Sequence, residues 1–136
     1  MLKYLITYLG AGAAIAVLDF TWLTLATPRV YRPTLNDVLA DKPDLKAAVI
    51  FYLAYLLGVL MLAILPNRDG GIGRVALAGA MLGAMAYATY DLTNQATLKV
   101  WSTRISVIDI SWGTFLTATG ATAGLLAWRW ASKTFP

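Results

Sequence analysis

This sequence predicts an all-α membrane protein: four transmembrane helices in an up-down bundle, within a single domain over residues 1–136. Three observations carry the prediction. Hydrophobic residues make up 59% of the chain, and the mean hydropathy is +0.64. Charged residues make up 13%, against about 25% in an ordinary soluble domain, too few to cover a water-soluble globule. Four apolar stretches, residues 2–26, 45–65, 74–98 and 105–130, each approach the ~20 residues that cross a bilayer as helix.

Several chemistries are excluded at once. The chain has no cysteine, no histidine and no glutamate, its seven acids all being aspartates. Disulfides, thiolate zinc sites, histidine-ligated haem and a Ser-His-Asp triad are therefore impossible. Acid–base work falls to Asp, Lys, Tyr or water. The net charge of +4 reads as membrane topology and contact with anionic lipid rather than nucleic-acid binding.

The first span carries a small-residue patch, Gly10 to Ala14, where another helix comes close. Its apolar run continues past that patch to Leu25, which favours a retained span over a cleaved signal peptide. Asp19 lies near its far end and Trp22 one turn later. In the connection that follows, Pro28 and Pro33 are expected to interrupt regular helix. A short interfacial helix is expected over residues 34–40, with Leu35, Val38 and Leu39 toward lipid. Asp41, Pro43 and Asp44 read as the start of the second span, with Asp41 as its cap. That span is almost purely apolar, with Tyr52 and Tyr55 as polar tips, and Pro66 is expected to stop it. Asn67 to Gly73 reads as a tight turn whose glycines permit positive φ. The third span holds Gly79 and Gly83, a small-xxx-small pair, and then Tyr87, Asp91 and Asn94 on one stripe. Trp101 is an expected interface anchor. The fourth span, from Ile105, has Asp109 near its start, carries Gly120 and Gly124, and ends in Trp128, Arg129, Trp130 and Lys133.

Alternating helix direction puts three acids together. The end of span one, the end of span three and the start of span four share one membrane side, so Asp19, Asp91 and Asp109 fall in one leaflet. Each is then about 6–12 Å from its helix end, at about 1.5 Å per residue. An ionisable residue in a span is costly and marks function by default. The expected site is a one-sided acidic and aromatic pocket for a small ligand or lipid head group. Asp91 would be its acid–base group and Asn94 would orient it. Asp19, Trp22, Tyr87, Tyr90, Asp109, Trp112 and Arg104 would bind the ligand, and Thr21 and Ser111 would add hydroxyls. Arg29, Arg32 and Lys99 join Arg104 at the mouth, to attract an anionic head group. If a metal is held, Asp19, Asp91 and Asp109 would supply the oxygens that Mg²⁺ prefers; no metal-binding motif supports one. A proton- or cation-coupled carrier and an accessory subunit of a larger membrane complex are the rival readings. Membrane lipid, a second copy or such a complex are the expected partners. Basic residues divide five against six between the two sides, so charge does not orient the chain.

Two segments resemble each other: Val17-Leu-Asp-Phe-Thr-Trp22 and Val107-Ile-Asp-Ile-Ser-Trp112. Because their helices run in opposite directions, the likeness reads as convergent pocket chemistry rather than an internal repeat. These segments also carry a family resemblance. Tyr90-Asp-Leu-Thr-Asn94 with Ala96-Thr-Leu98, Asp19-x-x-Trp22, Phe51-Tyr52-Leu-Ala-Tyr55 and Asp109-x-x-Trp-Gly113 together resemble the DUF2177 family of small predicted bacterial membrane proteins. The resemblance covers almost the whole chain, and the third-span motif is its most specific part. It implies a four-helix protein of the bacterial cytoplasmic (inner) membrane and brings no established activity with it.

Overall fold

The computed structural model describes residues 1–135. They form four long helices: α1 over Leu2–Leu35, α2 over Leu45–Gly70, α3 over Ile72–Thr97 and α4 over Thr103–Thr134. Among the described residues there are no strands.

Helix α1 does not end at its first proline. It runs as α-helix over Leu2–Ala26, widens into a π turn over Thr27–Tyr31, and resumes over Arg32–Leu35. Proline in regular α-helix loses a hydrogen bond and presses its ring on the carbonyl four residues back. The wider turn at Pro28 accommodates that fault without ending the helix. The Arg29 guanidinium folds back and donates to the Leu25 carbonyl at 3.0 Å. The expected separate interfacial helix is thus the far end of α1. Leu35 is buried and Leu39 lines an internal cavity, while Val38 is exposed. This corrects the assignment of Leu35 to lipid: the continued helix carries it over the end of the bundle, whereas Leu39, in the turn beyond, is exposed at the cavity rim.

Asp44, not Asp41, caps α2. Its backbone is extended and its carboxylate accepts from the amides of Lys46 at 2.9 Å and Ala47 at 3.2 Å, satisfying two of the donors that a helix start leaves free. Pro66 tightens the helix into a 3₁₀ segment, Leu65–Gly70, rather than stopping it. The reversal falls at Gly71, whose φ of +90° suits glycine.

Helix α4 is the centre of the bundle. Its glycines receive the neighbouring helices: a Cβ on Gly120 would strike Ile15 of α1, and one on Gly124 would lie 2.6 Å from Ile64 Cδ1 of α2. From α3, Gly79 sits so close that a Cβ would lie 2.8 Å from the Thr117 carbonyl. Ile15, Val59, Ile64, Val75, Leu116 and Leu125 fill the space between helices and are almost fully buried. By length and composition α1, α2 and α3 are apolar enough to cross a membrane. Helix α4, at 32 residues, is long enough but more polar. Its buried Ser106, Asp109 and Thr117 face other helices, so it depends less on side chains soluble in hydrocarbon. The outward residues of the bundle include Leu9, Phe20, Val49, Ile50, Leu62, Leu77, Met85 and Leu126, all exposed. An apolar exterior of this extent fits a lipid solvent.

At one end, Trp128 of α4 meets the Tyr4 ring edge-on at 5.2 Å and lies 4.9 Å from the Arg68 guanidinium. The start of α1, the α2–α3 turn and the end of α4 therefore share one end, as alternating directions require. The site lies at the other.

Candidate functional site

The four helices leave a cavity of about 340 Å³ at the opposite end, within the range of about 300–1,000 Å³ typical of small-molecule sites. Asp19, Trp22, Tyr87, Tyr90, Asp109 and Trp112 all line it. So do residues that the sequence did not mark as pocket: Leu23, Thr27, Tyr31, Leu35, Leu39, Phe51, Tyr52 and Trp101. Among the described residues, no lysine or arginine lines the wall.

The Asp-x-x-Trp segments explain the wall. Helices α1 and α4 are antiparallel, so the two segments face each other in reverse order. Trp22 and Trp112 stack, with centroids 4.5 Å apart and planes 11° from parallel. Trp112 Nε1 donates to Asp19 Oδ1 at 3.0 Å, and the Tyr52 hydroxyl donates to the other Asp19 oxygen. On the other side, Trp22 Nε1 donates to the Tyr31 hydroxyl at 3.0 Å, and Tyr31 donates to Asp109 Oδ1. Each tryptophan thus serves the aspartate of the opposite helix, one directly and one through a tyrosine. The likeness of the two segments is that of two halves of one interface. Thr21 and Ser111, at matching positions, both donate to the carbonyl four residues back at 2.7 Å and are exposed. They add no hydroxyl to the cavity, because a hydroxyl facing hydrocarbon is satisfied by its own helix.

Asp91 occupies a different place. The stripe Val75, Gly79, Gly83, Tyr87, Asp91 advances four residues at a time along the α3 face that meets α4. Tyr87 lies flat against Gly113, whose missing side chain makes room for the ring. Asp91 is fully buried, is absent from the cavity wall, and meets no hydroxyl, amide or cation among the described residues; its carboxyl group lies within hydrogen-bonding reach of that of Asp109. Its strongest charged neighbour is Asp109. Asn94 is half-buried beside Tyr90 and off the wall. Arg104 is exposed at the start of α4, and among the described residues the one ion pair is the surface pair Arg68–Asp69. The basic residues expected at the mouth therefore neutralise none of the three buried acids. Nor, among the described residues, do three aspartates gather as a metal cluster: the Asp19 oxygens are taken by Trp112 and Tyr52, and Asp91 is set behind the wall.

The α3–α4 corner is closed by a network the sequence did not reveal. Trp101 Nε1 donates to Ser106 Oγ at 3.1 Å, Ser106 to Gln95 Oε1 at 2.7 Å, and Gln95 Nε2 to Thr103 Oγ1 at 2.9 Å. Trp101, expected as an anchor, is thereby held on the cavity wall with its ring edge-on to Tyr90 at 5.5 Å.

Tyr31→Phe and Tyr52→Phe are each expected to lower stability by about 1–3 kcal/mol, since each removes a hydrogen bond to a buried carboxylate. Thermal unfolding in detergent, read beside the exposed control Tyr90→Phe, measures this. A pair of variants that melt with wild type would show that these hydroxyls do not support the acids.

A lipid-facing exterior around a buried polar interior defines a multi-pass helical membrane protein. The chain belongs to the DUF2177 family, described as a predicted membrane protein, which it matches over residues 4–126. No curated protein and no solved structure matches it.

Proposed function

We propose that this is a protein of the bacterial cytoplasmic membrane that binds, or binds and processes, a small ligand or lipid head group in the cavity between its four helices. The observation that carries the reading is the convergence of two aspartates and a stacked tryptophan pair, drawn from α1 and α4, on one cavity of ligand size. Ionisable groups at membrane depth are expensive and mark function by default. Asp109 is the carboxylate best placed to touch a ligand, because it lines the cavity while Asp91 does not, and both oxygens of Asp19 are taken by Tyr52 and Trp112. Asp91 lies next to it and would act through it, so the acid–base role passes from Asp91 to Asp109. A carrier is less favoured for a single chain: beyond the cavity the axis is filled by Ile15, Leu116 and Leu125, and passage would need a second copy.

Native mass spectrometry of the gently extracted protein tests the reading. Wild type is expected to retain a lipid or small molecule that Asp109→Asn loses. That substitution keeps an oxygen for Tyr31 to donate to. If neither retains anything and the variant sheds a protein partner, the acids serve assembly, and the accessory-subunit reading replaces this one.

A further inference from the structure

Resting on that reading, we infer that the cavity takes the head of a cationic amphiphile, an ammonium group on an apolar chain, which enters sideways from the bilayer between α2 and α3. Three observations converge on it.

The first is an uncompensated negative charge. Asp19 and Asp109 line the cavity and are both more than nine-tenths buried, and Asp91 behind them is fully buried. Buried charges are normally paired. Here all protein partners are neutral donors, Tyr31, Tyr52 and Trp112, and no Lys or Arg belongs to the wall. The Asp91 and Asp109 carboxyl groups lie within hydrogen-bonding reach of each other and can share one proton, but among the described residues neither they nor Asp19 meet a cation of the chain. A bound cation would supply what the chain withholds.

The second is the character of the wall. Trp22, Trp112, Tyr87, Tyr90 and Trp101 surround the acids with aromatic rings. Ring faces attract ammonium groups, most strongly where water is excluded, and aromatic cages are the usual means of holding quaternary ammonium. An anionic head would meet two carboxylates and no cation.

The third is the entry. A second cavity of about 340 Å³ is lined by Phe51, Ala86, Tyr87 and Tyr90. Phe51, Tyr87 and Tyr90 belong to both cavities, so the two adjoin. Phe51 and Tyr90 are 55% and 59% exposed on the lipid-facing surface. Over Leu45–Gly58, α2 buries only Leu56, so this half of the helix stands off the bundle and leaves the gap. The side cavity carries no charge and suits an apolar chain, while the head reaches Asp109.

The test compares head groups on one chain. Protein in neutral maltoside micelles is titrated with hexadecyltrimethylammonium, hexadecyl sulfate and hexadecanol, and bound amphiphile is counted by native mass spectrometry. Hexadecyltrimethylammonium is expected to bind roughly tenfold tighter than either of the others, the fold-change that one desolvated cation–π or charge contact supports. Asp109→Asn is expected to remove that preference. Leu23→Trp, which fills the cavity, is expected to block binding. Tetramethylammonium, which lacks the chain, is expected to bind far more weakly. Equal binding of the three amphiphiles, or a preference for the sulfate, overturns the inference. If Leu23→Trp still blocks them, the cavity reading survives that result. If none binds, both readings fall. The head-group comparison uses wild-type protein, so it stands even if a variant does not fold.

Discussion

Gly83→Ala is expected to destabilise the bundle by about 3 kcal/mol, at the upper end of what overpacking costs. The new methyl would lie 2.6 Å from Thr117 Oγ1 and 2.8 Å from Thr117 Cβ, and it would also press on the Gly113 carbonyl. Part of that obstacle is main chain of α4, which no side-chain rotation relieves. Thr117 is itself committed: it donates to the Gly113 carbonyl at 2.8 Å, so the Tyr55 hydroxyl, 2.7 Å away, is the donor in their contact. Moving Thr117 aside would break both bonds. Gly58→Ala is the control, because an added methyl there meets nothing within 4 Å; it is expected to be neutral or slightly stabilising, as alanine is the better helix former. Thermal unfolding in detergent compares the two. Equal melting of both variants would show that α3 and α4 do not approach at Gly83.

Asp91→Leu is expected to do the opposite and raise stability by about 1–3 kcal/mol. A buried carboxyl group whose one polar contact is another acid costs free energy of that order, and a similar-sized hydrocarbon removes the cost. Asp91 is fully buried, meets no hydroxyl, amide or cation among the described residues, and has a second acid, Asp109, against it. Removing it relieves both burial and repulsion. A gain in stability joined to a loss of ligand retention would mark Asp91 as kept for function at the expense of the fold. If Asp91 holds helices together, Asp91→Leu lowers the melting temperature instead. The same experiment on Asp19 predicts the reverse sign. Asp19 accepts from Tyr52 and Trp112, and Asp19→Leu would leave both donors without an acceptor.

Much of the candidate site's geometry was legible in the chain. Counting helix directions placed Asp19, Asp91 and Asp109 toward one end, and Asp19 and Asp109 do line one cavity with Trp22, Tyr87, Tyr90 and Trp112. What misled was local. Pro28 argued for a break, yet a π turn absorbed it and brought Tyr31 into the wall. Thr21 and Ser111 had the right spacing but satisfied their own helices. Tyr52 looked like a lone polar tip, because its acceptor, Asp19, lies on another helix. A capping aspartate at the second span was recognisable, but its position shifted from Asp41 to Asp44, since the cap belongs to the residue whose side chain reaches the first free amides.

By itself the sequence determined that this chain is helical and membrane-embedded, how many helices it has, and which residues share a face of each. Those properties depend on hydropathy and on a period of about 3.6 residues, and both are local. Only the tertiary structure decided how each helix is rotated against its neighbours. That rotation puts Asp109 on the cavity wall and Asp91 behind it, and it turns two similar Asp-x-x-Trp segments into one interlocked pair. The physical reason is that rotation is set where backbones meet, at Gly79, Gly83, Gly113, Gly120 and Gly124, and depends on the shape of both partners. No periodicity within a single helix records it.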